Sequence, residues 1–287
     1  MHEERNRLSA VRYILTLRCV DAPGVIHAVS GALLEVSGNV LEQGQFTDEH
    51  TGMFSMRTRF ETPLADIATV RSAVADATMR FSPVITLRNE AVRRRAVIMV
   101  SHEDHCLVDL LYRHVNGELP IDIPMIVSNH VTCAAVAEQY GIPFTHIPVD
   151  SKDEAEALLR GIIEEQAIDV VILARYMQIL SEDFCADFEG RIINIHHSFL
   201  PGFKGARPYH QAFERGVKLI GATAHFVTAE LDGGPIIEQD VERVTHNQTA
   251  ENLAEIGRDI ERVVLARAVR LYAEDRVLLD GQRTVVF

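Results

Sequence analysis

Three side chains in the last third of the chain have the types and spacing needed to act on one reacting carbonyl. In the segment Asn194-Ile195-His196-His197-Ser198, Asn194 and His196 stand two residues apart, which in an extended strand places an amide donor and an imidazole on the same face. Further on, Leu231-Asp232-Gly233-Gly234-Pro235 puts a carboxylate in a tight turn, where glycines let the backbone approach a ligand closely. Together Asp, His and Asn can activate water, hold an imidazolium and receive an oxyanion. Taken singly, each also has a structural reading: His196 as a histidine at a strand end, Asn194 as a satisfied polar group, Asp232 as an ordinary turn residue. His197 fits support of its neighbour and simple packing equally well. The joint occurrence of the three, in order, carries the chemical reading.

The elements that position these residues are legible from apolar patterning. Residues 96–101 form a near-continuous apolar strand, and 125–128, 144–148 and 170–174 are three more, separated by helical stretches. Alternation of strands and helices predicts a doubly wound, mostly parallel α/β sheet, in which ligands bind beyond the carboxyl ends of the strands. Strands over 192–195, 219–227 and 235–241 follow, then a long helix over 250–273 and a hairpin at Asp280-Gly281. The first 90 residues read differently. A strand over 11–19 breaks at Asp21-Ala22-Pro23-Gly24, and Val25, Val29, Ala32, Leu33 and Val36 then recur at helical spacing. Strands over 40–47 and 53–60 flank a turn, a helix follows Pro63, and a last strand lies near residues 84–87. That order is βαββαβ, a ferredoxin-like unit whose exposed edge can pair with a copy of itself. Arg93-Arg94-Arg95 marks the seam, giving domains 1–90 and 91–287.

Composition excludes several classes. A net charge of -13 on 287 residues opposes binding to nucleic acid, because such affinity is built from clustered Lys and Arg. No stretch approaches the roughly 20 apolar residues of a membrane helix. The start carries two Glu before any apolar run, without the basic-then-apolar order of a secretory signal, which predicts a cytoplasmic protein. The four cysteines lie far apart without a Cys-x-x-Cys pair, so disulfides and zinc clusters are not expected. His102-Glu103-Asp104-His105 is the most ligand-like cluster, yet it lacks the i, i+4 histidine pair of a helical zinc site, and no metal is expected. No Gly-x-Gly-x-x-Gly occurs, which removes sequence support for a nicotinamide cofactor.

The string NIHHSFLPGFKGARPYHQAFERGVKLIGATAHFVTAELDGGPII resembles the core of the 10-formyltetrahydrofolate-dependent formyltransferases. By that resemblance Asn194, His196 and Asp232 are the catalytic set, with His197, Ser198, Leu231 and Gly233 against the substrate. LARYMQIL, residues 173–180, is similar to the loop lining the family's pterin pocket and implicates Arg175, Met177, Gln178, Ile179 and Leu180. His197 in place of the transformylases' usual proline, the run GARPYHQA, and an ACT-like N-terminal domain together resemble the formyltetrahydrofolate deformylases. Asp21, Pro23, Gly24 and Val25 would then contact a regulatory ligand, such as glycine or methionine. Lys204, Arg207 and Arg175 fit the glutamate tail of folate and a solvated surface equally. The resemblance implies a homo-oligomer, dimer or tetramer. It also implies hydrolysis of 10-formyltetrahydrofolate to tetrahydrofolate and formate, supplying formate for purine synthesis and balancing the folate pool. The folate is substrate, and no cofactor is implied. Ser101-His102-Glu103-Asp104-His105-Cys106, with two acids and no glycine, makes a poor phosphate nest, which favours water over a phosphorylated amine acceptor. The alternatives are a formyltransferase to an amine and a non-enzymatic folate or amino-acid sensor.

Overall fold

A computed structural model describes residues 10–202 and 208–287; Lys204 and Arg207 lie outside them. The chain divides into two compact units.

The first unit contains the chain through Arg93 together with Asp275–Leu278 and Val285–Phe287. Its elements are β1 (Val11–Val20), α1 (Val25–Glu35), β2 (Asn39–Asp48), β3 (Met53–Thr62), α2 (Ile67–Thr78) and β4 (Val84–Asn89). The strands form one antiparallel sheet in the order β2-β3-β1-β4. Alternate residues of β1, Tyr13, Leu15, Leu17 and Cys19, are buried with Val25, Val29, Ala32 and Leu33 of α1 and with Val70 and Val74 of α2, so both helices cover one face. Asp66 caps α2, its side chain accepting from the Ala68 N–H. The contiguous division 1–90 and 91–287 is corrected here, because residues 275–278 and 285–287 group with the first unit. Charge pairing and packing explain the return: Arg88 lies 2.6 Å from Asp275, Arg276 lies 2.9 Å from Glu42, and the Phe287 ring lies over Gly44.

The second unit begins with β5 (Arg94–Val100), α3 (His105–Val115), β6 (Ile121–Ser128), α4 (Ala134–Gln139) and β7 (Phe144–His146). It continues with α5 (Lys152–Glu165), β8 (Val170–Leu173), α6 (Glu182–Asp187), β9 (Ile192–His196), α7 (Pro208–Arg215), β10 (Leu219–Phe226), β11 (Ile236–Arg243) and α8 (Ala250–Ala273). The seven strands are ordered β11-β10-β9-β8-β5-β6-β7. β9, β8, β5, β6 and β7 run parallel, while β10 and β11 are antiparallel. Chain direction along the sheet reverses at β5, so a crevice opens beyond the carboxyl ends of β5 and β8. A hairpin of β12 (Val277–Asp280) and β13 (Arg283–Val286) ends the chain. No helix among the described residues is long and apolar enough to cross a membrane.

One buried hydroxyl ties the segment after β9 to β10. Thr223 Oγ donates to the Ser198 carbonyl at 2.9 Å and accepts from the Leu200 N–H at 3.0 Å and from Gln239 Nε2 at 2.9 Å. Valine has the same shape and none of these bonds, which leaves a buried N–H without its acceptor. Thr223→Val is therefore expected to lower stability by about 1–3 kcal/mol, measured as a fall in the urea midpoint with unchanged slope.

Candidate active site

The catalytic candidates converge at the ends of β9 and β10. Asn194 and His196 lie on β9, and Asp232 sits in the β10–β11 turn with its Nδ1 partner, His196, 3.2 Å from Oδ1. Asp232 takes a positive φ of 53°, a conformation Asp tolerates better than most residues. The turn can close only because residue 234 has no side chain: a Cβ on Gly234 would lie 1.8 Å from the Phe226 carbonyl oxygen. Burial pulls the Asp232 carboxyl upward, but the His196 hydrogen bond and the neighbouring imidazoles outweigh it, so the group sits below the ordinary carboxylate range. Asp232 is thus held ionised with its side chain only 8% exposed.

His225, paired across the strands with Asn194, is a functional residue that sequence reasoning missed. Its Nδ1 lies 2.8 Å from the Phe226 carbonyl, which can only accept, so Nδ1 carries the proton. Nε2 is then an acceptor, 3.2 Å from the Asn194 amide nitrogen. Burial holds the His225 pKa down despite Asp232 nearby, which keeps the ring neutral and this tautomer in place. The available signal was one histidine in a strand of otherwise small and apolar residues, Gly221-Ala222-Thr223-Ala224-His225-Phe226.

A cleft of ≈ 280 Å³ opens over these groups. Arg175, Met177, Gln178, Ile179 and Leu180 line one side, Leu231 and Asp232 the other, with Asn194, His196 and His197 at its base. Tyr176, Val227, Thr228 and Glu230 also line it without having been singled out. Met177, Ile179 and Leu231 are 57%, 64% and 53% exposed, an apolar rim of the kind that receives an aromatic ligand. Ser198 and Gly233 are not brought into this lining. Ser198 lies beyond the strand end and donates to the Gly202 carbonyl at 3.1 Å, while Gly233 faces the Glu230 side chain. Ser101 anchors the Arg175–Leu180 loop, its Oγ accepting from the Met177 N–H at 3.0 Å and donating to Asn129 Oδ1 at 2.7 Å.

Behind the Arg175 side of the cleft, Glu261 of α8 is 1% exposed. It accepts from Tyr209 at 2.6 Å and from His105 Nε2 at 2.9 Å, with Arg175 Nε 3.5 Å away. Burial raises the Glu261 carboxyl, but His105, Arg175 and Tyr209 outweigh it and hold it below its usual range. His105, Cys106 and Glu261 place donor atoms within 4.8 Å of one another. The carboxylate is already neutralised by a guanidinium and an imidazole, and burial pushes the Cys106 thiol well up, so the set suits an internal ion network better than a metal. In the first unit, Asp21, Pro23, Gly24 and Val25 together line a cavity of ≈ 680 Å³ with His27 and Phe54.

Comparisons with known proteins agree on one family. The formyl transferase family profile matches residues 94–269. Over 280 residues the chain is 45% identical to a formyltetrahydrofolate deformylase of Corynebacterium sp. strain P-1, covering 96% of this chain and 98% of the relative. It is similar to the crystal structure of a formyltetrahydrofolate deformylase from Burkholderia mallei, at 48% identity and a TM-score of 0.92, over 96% of this chain and 99% of that one. A glycinamide ribonucleotide transformylase from Symbiobacterium toebii is 30% identical with a TM-score of 0.66, covering 70% of this chain and 96% of that one.

The buried histidines predict an acid sensitivity. Burial, and then the Arg175 charge, push His197 from 6.5 down to about 3, so between those values the unfolded chain binds a proton that the folded chain does not. Stability then falls as pH drops below 6.5, with a slope of up to about 1.4 kcal/mol per pH unit for each such proton. His197→Gln removes one proton from this linkage, and the slope of unfolding free energy between pH 6 and 5, from urea titrations, is expected to flatten by about that amount. An unchanged slope means that His197 is protonated in the folded state.

Proposed function

The chain belongs to the formyl transferase family and, within it, to the formyltetrahydrofolate deformylases, and from this we propose that it hydrolyses 10-formyltetrahydrofolate to tetrahydrofolate and formate at Asn194, His196 and Asp232. The carrying observation is the ionised Asp232 against His196, beside an amide held by a neutral His225, at the base of an apolar-rimmed cleft. The pterin and its aryl group lie along Met177, Gln178, Ile179, Leu180 and Leu231. Water adds to the formyl carbon while Asp232 and His196 take its proton. The Asn194 amide spends one hydrogen on His225 Nε2 and gives the other to the oxyanion, which protonated His196 also stabilises. The C–N10 bond then breaks, N10 takes a proton, and formate leaves.

The first unit acts as an ACT-type module. Its cavity at Asp21–Val25 binds an amino acid close to one-carbon chemistry, glycine or methionine, and its sheet edges join copies into a homo-oligomer. The enzyme works in the cytoplasm, supplies formate for purine synthesis and uses no cofactor. Transfer to an amine is the second reading, favoured only by fold likeness to transformylases.

Formate is expected at full rate from 10-formyltetrahydrofolate with no amine present; a requirement for an amine acceptor would sink the hydrolase reading. Asp232→Asn is expected to bind a non-hydrolysable folate analogue normally and to lose about two to four orders of magnitude in single-turnover formate release. Near-normal release by that variant removes Asp232 from the mechanism. Millimolar glycine or methionine is expected to change the rate, and equal rates with and without both reduce the first unit to assembly.

A further inference from the structure

Arg175, directly after β8, is held in place at several local costs. Its φ is +65°, a left-handed conformation unfavourable for an L side chain that persists only where its surroundings over-determine it. Its side chain is nine-tenths buried, with Nη2 3.4 Å from Glu103 and Nε 3.5 Å from Glu261. Nη1 is buried and has no hydrogen-bond partner among the described residues. Glu261 itself is a buried charge, and replacing such ion networks with apolar packing is often neutral or stabilising. Its tie to Tyr209 needs Gly257 in mid-helix, since a Cβ there would lie 2.0 Å from Tyr209 Cζ, and glycine inside a helix is less favourable than alanine. Strain, buried charge and a helical glycine therefore converge on the position of one guanidinium, and stability does not account for them.

Arg175 lines the cleft that holds Asn194, His196 and Asp232, whereas Glu261, His105 and Tyr209 stand outside the lining, Glu261 against Arg175 and the other two against Glu261. The cleft, ≈ 280 Å³, is at the low end of small-molecule sites. A cleft of that size suits one small-molecule group and leaves little space for a second organic substrate. We propose that Arg175, braced by Glu261, His105 and Tyr209, is the residue that reserves attack on the formyl carbon for water by walling off organic amines. The two competing steps differ only in nucleophile. In both, a lone pair from oxygen or nitrogen bonds to the formyl carbon, the C–N10 bond breaks, N10 takes the proton shed by the nucleophile, and no electrons change hands. Selection against the wrong nucleophile by a built-in obstruction is a recognised route to specificity.

The inference rests on the hydrolase reading, which formate release by the unsubstituted enzyme without amine tests separately. The experiment follows 10-formyltetrahydrofolate carrying a labelled formyl group, with glycinamide as the probe amine, and measures the ratio of N-formylglycinamide to formate. Arg175→Gly supplies the residue that the backbone conformation prefers and opens the wall; Glu261→Gln keeps the shape and removes the charge that braces it; Tyr209→Phe removes one brace. The unsubstituted enzyme is expected to give formate alone. Arg175→Gly is expected to raise the ratio about tenfold or more, the low end of what steric discrimination in a pocket contributes, and Glu261→Gln and Tyr209→Phe to raise it less. Because the ratio compares two fates of the same substrate, it does not depend on how much variant is folded. An unchanged ratio in every variant that turns over overturns the proposal. So does loss of all turnover by variants that still bind a folate analogue, which would place the network in the chemistry itself.

Discussion

The rest of the site is arranged around an ionised carboxylate kept under cover 3.2 Å from an imidazole. Asp232 can serve as a base only while it is charged, and burial pulls its carboxyl upward. The hydrogen bond with His196 is the largest effect opposing that burial, and the turn that carries Asp232 closes only because Gly234 passes under the Phe226 carbonyl. The antiparallel pairing of β10 with β9 then sets His225 beside Asn194. β11 in turn pairs antiparallel with β10, which is what allows the short turn bearing Asp232; a parallel neighbour would need a long crossover.

Two carboxylates of the second unit, Asp232 and Glu261, are held differently. Asp232 lines the cleft with the histidines His196 and His225 beside it. Glu261 is clamped by a guanidinium, an imidazole and a phenol, so its charge is fixed. Their separation by role is visible in the partners: a histidine can exchange a proton near neutral pH, an arginine cannot. Burial lowers the pKa of both His197 and His225 and keeps them neutral.

Much of the fold is legible in the sequence because it is written in local periodicity. The helix read over 250–273 is α8, Ala250–Ala273, and the near-continuous apolar runs are strands buried on both faces, as in Val170–Leu173. The pairing of Asn194 with His196 on one face follows from a spacing of two. What periodicity does not carry is the identity of partners far along the chain. Glu261 falls in the buried stripe Leu253, Gly257, Glu261, Val264 and Ala268 of α8, and an acid among apolar positions announces a buried partner without naming it. That partner, His105, is 156 residues away. The return of residues 275–278 and 285–287 to the first unit is hidden for the same reason, since a charge pair such as Arg88 with Asp275 leaves no local pattern.

That return bears on how the molecule can be taken apart. A cut between Arg93 and Arg94 looks like a clean excision of the N-terminal module, yet the fragment it releases lacks Asp275, Arg276 and Phe287, which pair with Arg88 and Glu42 and cover Gly44. The remaining piece would carry those groups as orphans. The two halves are interleaved in sequence, so neither truncation nor transplantation at the arginine run moves a complete compact unit.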